Sequence, residues 1–358
     1  MTRPVDEADA LMTRVIHAGE DPLSSAVPIY TANSVGNTYA RHTNPTVEAL
    51  EAKFRELEGG AVTVATASGM AAISQTFLSL LKTGDRLVVH TNIFVGVRTL
   101  LADFFPDLGI RVDKVDMRDL DQLSHALEEP AAAVYFETIS NPHINVIDAP
   151  RAIGIANHAS VPVIVDNTLL SPHLFRPIEH GADVVVQSAS KYIGGHGDAI
   201  GGLVTTRDAE LGEQIRKARR LFGGILSPNS AYLLLRGLKT LPLRMERHCA
   251  NAVQVAEWLA GHPRVREVSY PGLPSSPDRE RASSFLRAFG GLMSFRLRNA
   301  EDVEPFKQAL LLATVRFSFG EPGTILLTQD WTDVIRLSVG LEAPEDILAD
   351  LQQALDAL

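Results

Sequence analysis

A lysine stands at the end of an apolar run, Ala182-Asp183-Val184-Val185-Val186-Gln187-Ser188-Ala189-Ser190-Lys191-Tyr192, and Gly194, Gly195 and Gly197 follow closely. The β-branched run predicts a buried strand, and the small residues after it predict a bend. An ammonium delivered there sheds its hydration and loses its proton more readily. Lys191 is therefore a candidate Schiff-base nucleophile. Taken alone, the same pattern also fits a surface lysine just past a strand. Twenty-five positions earlier another buried run, Val163-Ile164-Val165, ends in Asp166. An Asp at one strand end and a Lys at a later one suit pyridoxal phosphate (PLP). The carboxylate pairs with the pyridinium nitrogen, and the amine holds the aldehyde carbon.

Other strand ends carry polar residues as well. Val62–Thr66 leads into Ser68-Gly69-Met70, where a helix starts. Free N–H groups and the helix dipole at that point suit a phosphate, although a plain helix cap reads the same way. Glu137-Thr138-Ile139-Ser140-Asn141-Pro142 reads first as a turn. In a PLP site Asn141 can also hydrogen-bond the phenolic oxygen. Ser188 and Ser190 are two apart, so their hydroxyls can share one strand face as phosphate donors or as turn caps. The eleven histidines show no HxxxH or HExxH spacing, so no metal site is expected. No GxSxG elbow or P-loop occurs. His196, in Gly194-Gly195-His196-Gly197, reads as a structural group.

The elements that must hold these residues follow from hydrophobic rhythm. Residues 1–45, rich in Pro, Ser, Asn and Thr, predict an irregular arm that lies on something, plausibly another subunit. Val47, Leu50, Phe54 and Leu57 predict a helix from Pro45, capped by Asn44 or Thr46 and stopped by Gly59-Gly60. Strands are expected at 61–65, 86–90, 131–137 and 162–166, and helices at 69–81, 95–105 and 150–159. The alternation predicts a mostly parallel sheet covered on both faces. Beyond residue 230 the rhythm changes. Helices are expected at 230–241, with Pro242 near the end, and through 247–259. Weaker strands near 265–270, 291–297 and 334–339 and a last helix at 344–355 complete a separate α+β unit. The expected division is an arm at 1–45, a large PLP-binding domain at 46–230 and a smaller C-terminal domain at 231–358.

Composition bounds the rest. The chain has 358 residues, 45% apolar and 21% charged, which is ordinary globular composition. A net charge of -10 argues against a nucleic-acid partner. No apolar run is long enough for a membrane span, and the polar N-terminus lacks a signal core. The single cysteine, Cys249, excludes an internal disulfide. The expectation is a soluble, cytoplasmic protein.

Several stretches, in order, resemble the cystathionine γ-synthase-like PLP enzymes of cysteine and methionine metabolism. They are Thr13–Gly19, Tyr39–Thr46, Leu57–Gly60, Ser68–Ile73, Val165–Thr168, Ser188–Tyr192, Leu235–Leu241 and Arg336–Glu342. The resemblance implies an α/β fold of the type I PLP-dependent transferase (aspartate aminotransferase-like) class. It makes Lys191 the cofactor-holding lysine that then moves protons, and Asp166 the partner of the ring nitrogen. Ser68, Gly69, Met70, Ser188 and Ser190 would hold the phosphate. Tyr39 and Arg41 would reach the phosphate of a neighbouring subunit, in a homotetramer built as a dimer of dimers. Asn141 would contact the ring O3′, and Phe94 would stack on the ring. Arg336 would clamp the substrate α-carboxylate, with Ser318 on the substrate side.

The departures from the family pattern bear on the reaction. Phe94-Val95-Gly96-Val97 stands where the family usually has Tyr-Gly-x-Thr, so a hydroxyl is missing. Gly96 stands where methionine γ-lyases usually carry Cys. The segments from Tyr30 to Tyr39 and from Gly320 to Arg336 are short, which implies a more open site. The expected function is a γ-elimination C–S lyase of the methionine or cystathionine type. The alternative, toward which Phe94 leans, is a γ-replacement enzyme using an O-acylhomoserine. A non-catalytic PLP-fold binding module is the remaining reading.

Overall fold

The computed structural model describes residues 7–18, 26–328 and 333–358. The arm is not irregular throughout: Glu7–His17 is an α-helix. Leu11 and Val15, one turn apart, are buried against the helix Pro45–Glu58, and Lys53 Nζ bonds the Val15 carbonyl at 2.8 Å. A helical stripe within a polar composition explains the difference. The arm's remaining regular structure among the described residues is a short ladder of β1 (Ser34–Val35) and β2 (Thr38–Tyr39). The parts of the arm at 1–6 and 19–25 lie outside the described residues.

Helix Pro45–Glu58 begins as its sequence predicts. Asn44 Oδ1 accepts the N–H groups of Thr46 and Val47, Pro45 fills the first turn, and Gly59 ends the helix at φ 80°. Seven strands follow: β3 (Val62–Thr66), β4 (Arg86–His90), β5 (Arg111–Val115), β6 (Ala133–Glu137), β7 (Val163–Asp166), β8 (Val184–Ser188) and β9 (Gly202–Thr206). They form one sheet in the order β3-β9-β8-β7-β6-β4-β5, in which only β9 runs against the others. Successive residues of a strand point to opposite faces. Val185, Val134 and Phe136 thus join the core under helix Pro45–Glu58, while Val184, Val186 and Tyr135 join the core with Phe77 of helix Gly69–Leu80. Both faces are covered, so the strands read as continuous apolar runs.

A second sheet contains β10 (Val265–Ser269), β11 (Leu292–Leu297), β12 (Thr314–Val315), β13 (Ile325–Thr328) and β14 (Ile335–Ser338), ordered β10-β11-β14-β13-β12. Its core packs against helices Leu241–Gly261 and Pro344–Asp356. Pro242 lies in the first turn of helix Leu241–Gly261, not at the end of the preceding helix, Pro228–Leu238. Proline's missing N–H is harmless there, whereas the end of a helix is only one place a proline can follow. β5, β9 and helix Ala209–Phe222 carry no matching expectation. β5 is an edge strand with Arg111, Asp113 and Lys114 among its five residues, and so lacks an apolar run. No helix of the described residues is long and apolar enough to cross a membrane.

Candidate active site

In a sheet of this kind ligands sit beyond the carboxyl ends of the parallel strands. There the chain encloses a cavity of 610 Å³, lined from the ends of β3, β6, β7 and β8 and from β14 of the second sheet. Ser68, Gly69, Met70, Phe94, Asn141, Asp166, Ser188, Ser190, Lys191, Ser318 and Arg336 all line it. Tyr39 and Arg41 do not. Both are exposed, with the Arg41 guanidinium 5.6 Å from the Tyr39 ring centre.

Lys191 and Arg336 converge on Ser318. Lys191 Nζ donates to Ser318 Oγ at 3.1 Å, while Arg336 Nη2 donates to the Ser318 carbonyl. Arg336 Nη1 donates to Asn141 Oδ1 at 3.2 Å. Ser318 adopts φ 127°, an uncommon value for a residue with a side chain, and turns both its oxygens toward the two cations. The Phe319 ring lies beneath both, 5.0 Å from Lys191 Nζ and 5.4 Å from the Arg336 guanidinium carbon. Burial lowers the Lys191 pKa, Arg336 lowers it further, and Glu321 opposes them. Arg336 itself is pushed down to about 10 by burial, and its Nε is buried without a partner.

The strand ends are fastened to one another. Thr168 Oγ1 accepts the Ser188 N–H at 2.8 Å, and the Thr168 N–H donates to Asp166 Oδ1 at 2.9 Å. Asp166 is partly open to the cavity, yet burial raises its pKa; Thr168 pulls it back. Ser68 Oγ caps helix Gly69–Leu80 by accepting the Ala71 N–H at 3.1 Å. A Cβ on Gly69 would lie 2.8 Å from Ser188 Cβ, so a glycine there lets the helix close on the end of β8. Ser190 Oγ donates to the Gly201 carbonyl at 3.2 Å and accepts the Gly201 N–H at 3.0 Å. As a turn residue past β8, it spends its proton on the backbone.

Sequence reasoning missed three contributors. Arg244 donates to the Tyr192 and Gly237 carbonyls, each at 2.7 Å, and so anchors the bend that carries Lys191. Glu137 is buried and accepts the Phe94 N–H. Glu321, buried at the cavity wall, pairs with Arg316 at 2.8 Å. Glu137 ends a predicted strand at the carboxyl edge of the sheet, which was a usable signal. Arg244 and Glu321 had no signal beyond their charge. Among the described residues no group of three or more His, Cys, Asp or Glu could hold a metal ion.

The family of Cys/Met metabolism PLP-dependent enzymes matches residues 21–356. The chain belongs to this family. A cystathionine β-lyase of Lactococcus lactis subsp. cremoris is 38% identical over 97% of this chain and 99% of its own length. A cystathionine γ-synthase of Mycobacterium bovis is 39% identical over 96% of each. The crystal structure of a cystathionine γ-lyase from Lactobacillus plantarum, complexed with L-serine, superposes with a TM-score of 0.94 at 35% identity, covering 97% of this chain and 98% of that one. The fold is therefore that of the type I PLP-dependent transferases, and the protein is a PLP-dependent trans-sulfuration enzyme, lyase or synthase.

The cavity fits this family's cofactor on its own chemistry. It offers a desolvated amine for an aldehyde and a buried carboxyl for a ring N–H. For a phosphate it offers the first-turn N–H groups of Gly69 and Met70, which have no intrahelical acceptor.

Proposed function

We propose that this family member is a C–S lyase that eliminates a γ-substituent from a thioether L-amino acid. The observation that carries the reading is the convergence of a desolvated Lys191 amine and a buried Arg336 guanidinium on Ser318, in a cavity that also holds Asp166. When bound, PLP supplies the electron sink that makes protons next to the amino-acid carbon acidic.

The chain's residues divide the remaining work. Arg336 Nη1 and Nη2 take the α-carboxylate as a bidentate pair in exchange for Asn141 and Ser318. That clamp turns the Cα–H bond toward Lys191 Nζ, which removes the proton and later moves one at Cβ. Asp166 holds the ring nitrogen protonated, and Asn141 turns to O3′. Gly69, Met70, Ser68 and Ser188 bind the phosphate. Ser190 joins them only by rotating its hydroxyl away from Gly201. Phe94, exposed to the cavity, stacks on the ring without a hydroxyl. Phe317 and Ile200, 84% and 67% exposed at the cavity, favour an open entrance.

Tyr39 and Arg41, exposed and outside their own cavity, support an arm that completes a neighbouring subunit's phosphate site. The proposal includes a homotetramer of such dimers, a cytoplasmic location, and a division into an arm at 1–45, a PLP-binding domain at 46–230 and a C-terminal domain at 231–358. The second reading, γ-replacement on an O-acylhomoserine, is favoured by Phe94. The test is product release by the PLP-loaded protein from L-cystathionine, L-methionine and an O-acyl-L-homoserine, the last with and without a thiol. Release of 2-oxobutanoate from a thioether is expected. Pyruvate from cystathionine would mean β-elimination. Thiol-dependent thioether formation from the acylhomoserine alone would make the protein a replacement enzyme.

A further inference from the structure

The ends of β6 and β7 set two carboxyls side by side. Glu137 closes β6, Asp166 closes β7, and they stand opposite each other in the parallel register. Both line the cavity, and Glu137 is 3% exposed. Neither forms an ion pair with Lys, Arg or His among the described residues. Two anions so placed, with little water between them, repel, so one of the pair retains a proton.

The surroundings decide which. Asp166 is held toward its charged form by Thr168, whose N–H it accepts at 2.9 Å. Burial raises the Glu137 pKa well above its ordinary value, the Asp166 charge raises it further, and the Phe94 N–H that Glu137 accepts lowers it only in part. That N–H belongs to the segment carrying Phe94, whose ring faces the cavity. Other charged or titratable groups nearby do not compensate Glu137. Tyr135 on its own strand faces the same pair, and His90 of β4 is engaged with the Val115 carbonyl and the Met117 N–H. Arg336 meets this loop at Asn141 Oδ1.

We propose that Glu137 is a positioning residue: a neutral carboxylic acid that ties the Phe94 segment to the end of β6 beside the cofactor and leaves the pair's one negative charge to Asp166. The proposal rests on the assignment of Asp166 to the ring nitrogen.

The test compares wild type, Glu137→Gln and Glu137→Ala. PLP is titrated into each apo-protein, and the visible absorbance of the bound cofactor is followed against pH. Glu137→Gln, a neutral isostere, is expected to bind PLP within about twofold of wild type with the same absorbance at neutral pH. Glu137→Ala, which strips the Phe94 N–H of its acceptor, is expected to bind PLP about tenfold more weakly. A Gln variant as weak as the Ala variant, or a shifted neutral spectrum, overturns the proposal. So does an Ala variant that binds like wild type. If the Ala variant does not fold, the Gln spectrum decides alone. If the wild-type chain takes up no PLP, the cofactor assignment fails first and this proposal falls with it.

Discussion

Burial acts in opposite senses on the two cations of the site. The Lys191 ammonium, half-enclosed above Phe319 and facing Arg336, is driven toward the neutral amine that a nucleophile and proton carrier requires. The Arg336 guanidinium falls only to about 10, and so remains charged at neutral pH. One environment thus favours a neutral amine on one residue and leaves the other a fixed cation. If Arg336 holds a carboxylate through two parallel bonds, Arg336→Lys loses the fork geometry. The loss is about 1.5–3 kcal/mol, read as a KM for the amino acid raised about ten- to hundredfold with PLP affinity unchanged. An unchanged KM would remove Arg336 from the carboxylate site. Lys191 and Asp166 were legible because each ends or follows an apolar run, where a charge needs a reason; Arg336 and Ser318 were picked out only through the family resemblance. What joins the two cations at Ser318 is a backbone angle of 127° that no neighbouring residue type announces.

Elements buried on both faces were the legible ones. β6, β7 and β8 alternate their side chains between two cores, so every position is apolar until the strand end. The edge strand β5 and the reversed strand β9 carry charges, threonines and a glycine instead, and needed the finished sheet to define them. Helix Pro45–Glu58 was legible at both caps, but not in the behaviour of its last residue. Glu58 is buried and held by Gln187 Nε2 at 3.4 Å, at a helix end where negative charge is unfavourable. Burial raises its pKa from 4.5 to about 8. The folded chain therefore keeps a proton that the unfolded chain gives up, and stability falls as pH rises from about 5 to about 8. Glu58→Gln removes that contribution, so its melting temperature should depend less on pH across this window than the wild type's and exceed it near pH 8. Parallel melting curves for the two proteins would discard the assignment.

At the scale of the molecule, the site is shared between the two sheets. β8 leads to Lys191 and β14 presents Arg336, with the 318–320 turn between them. The change in rhythm near residue 230 falls between the last strand of the first sheet and the first strand of the second. That the two sheets meet at the cavity followed only from the strand order and the turn. The N-terminal region was read from composition, which averages over Leu11 and Val15, buried in helix Glu7–His17, and so hid it.

If the exposed Tyr39 and Arg41 serve a neighbouring subunit, as proposed, defective chains should complement one another. Consider Lys191→Ala and Arg41→Ala, each crippled as a pure protein. If every arm serves its neighbour, a mixed dimer pairs the intact arm of the first chain with the intact lysine of the second and regains one working centre. Random reassembly of equal amounts should then restore about a quarter of wild-type turnover beyond the sum of the parents. If each arm serves its own chain, mixing restores nothing, because every centre keeps one of the two lesions.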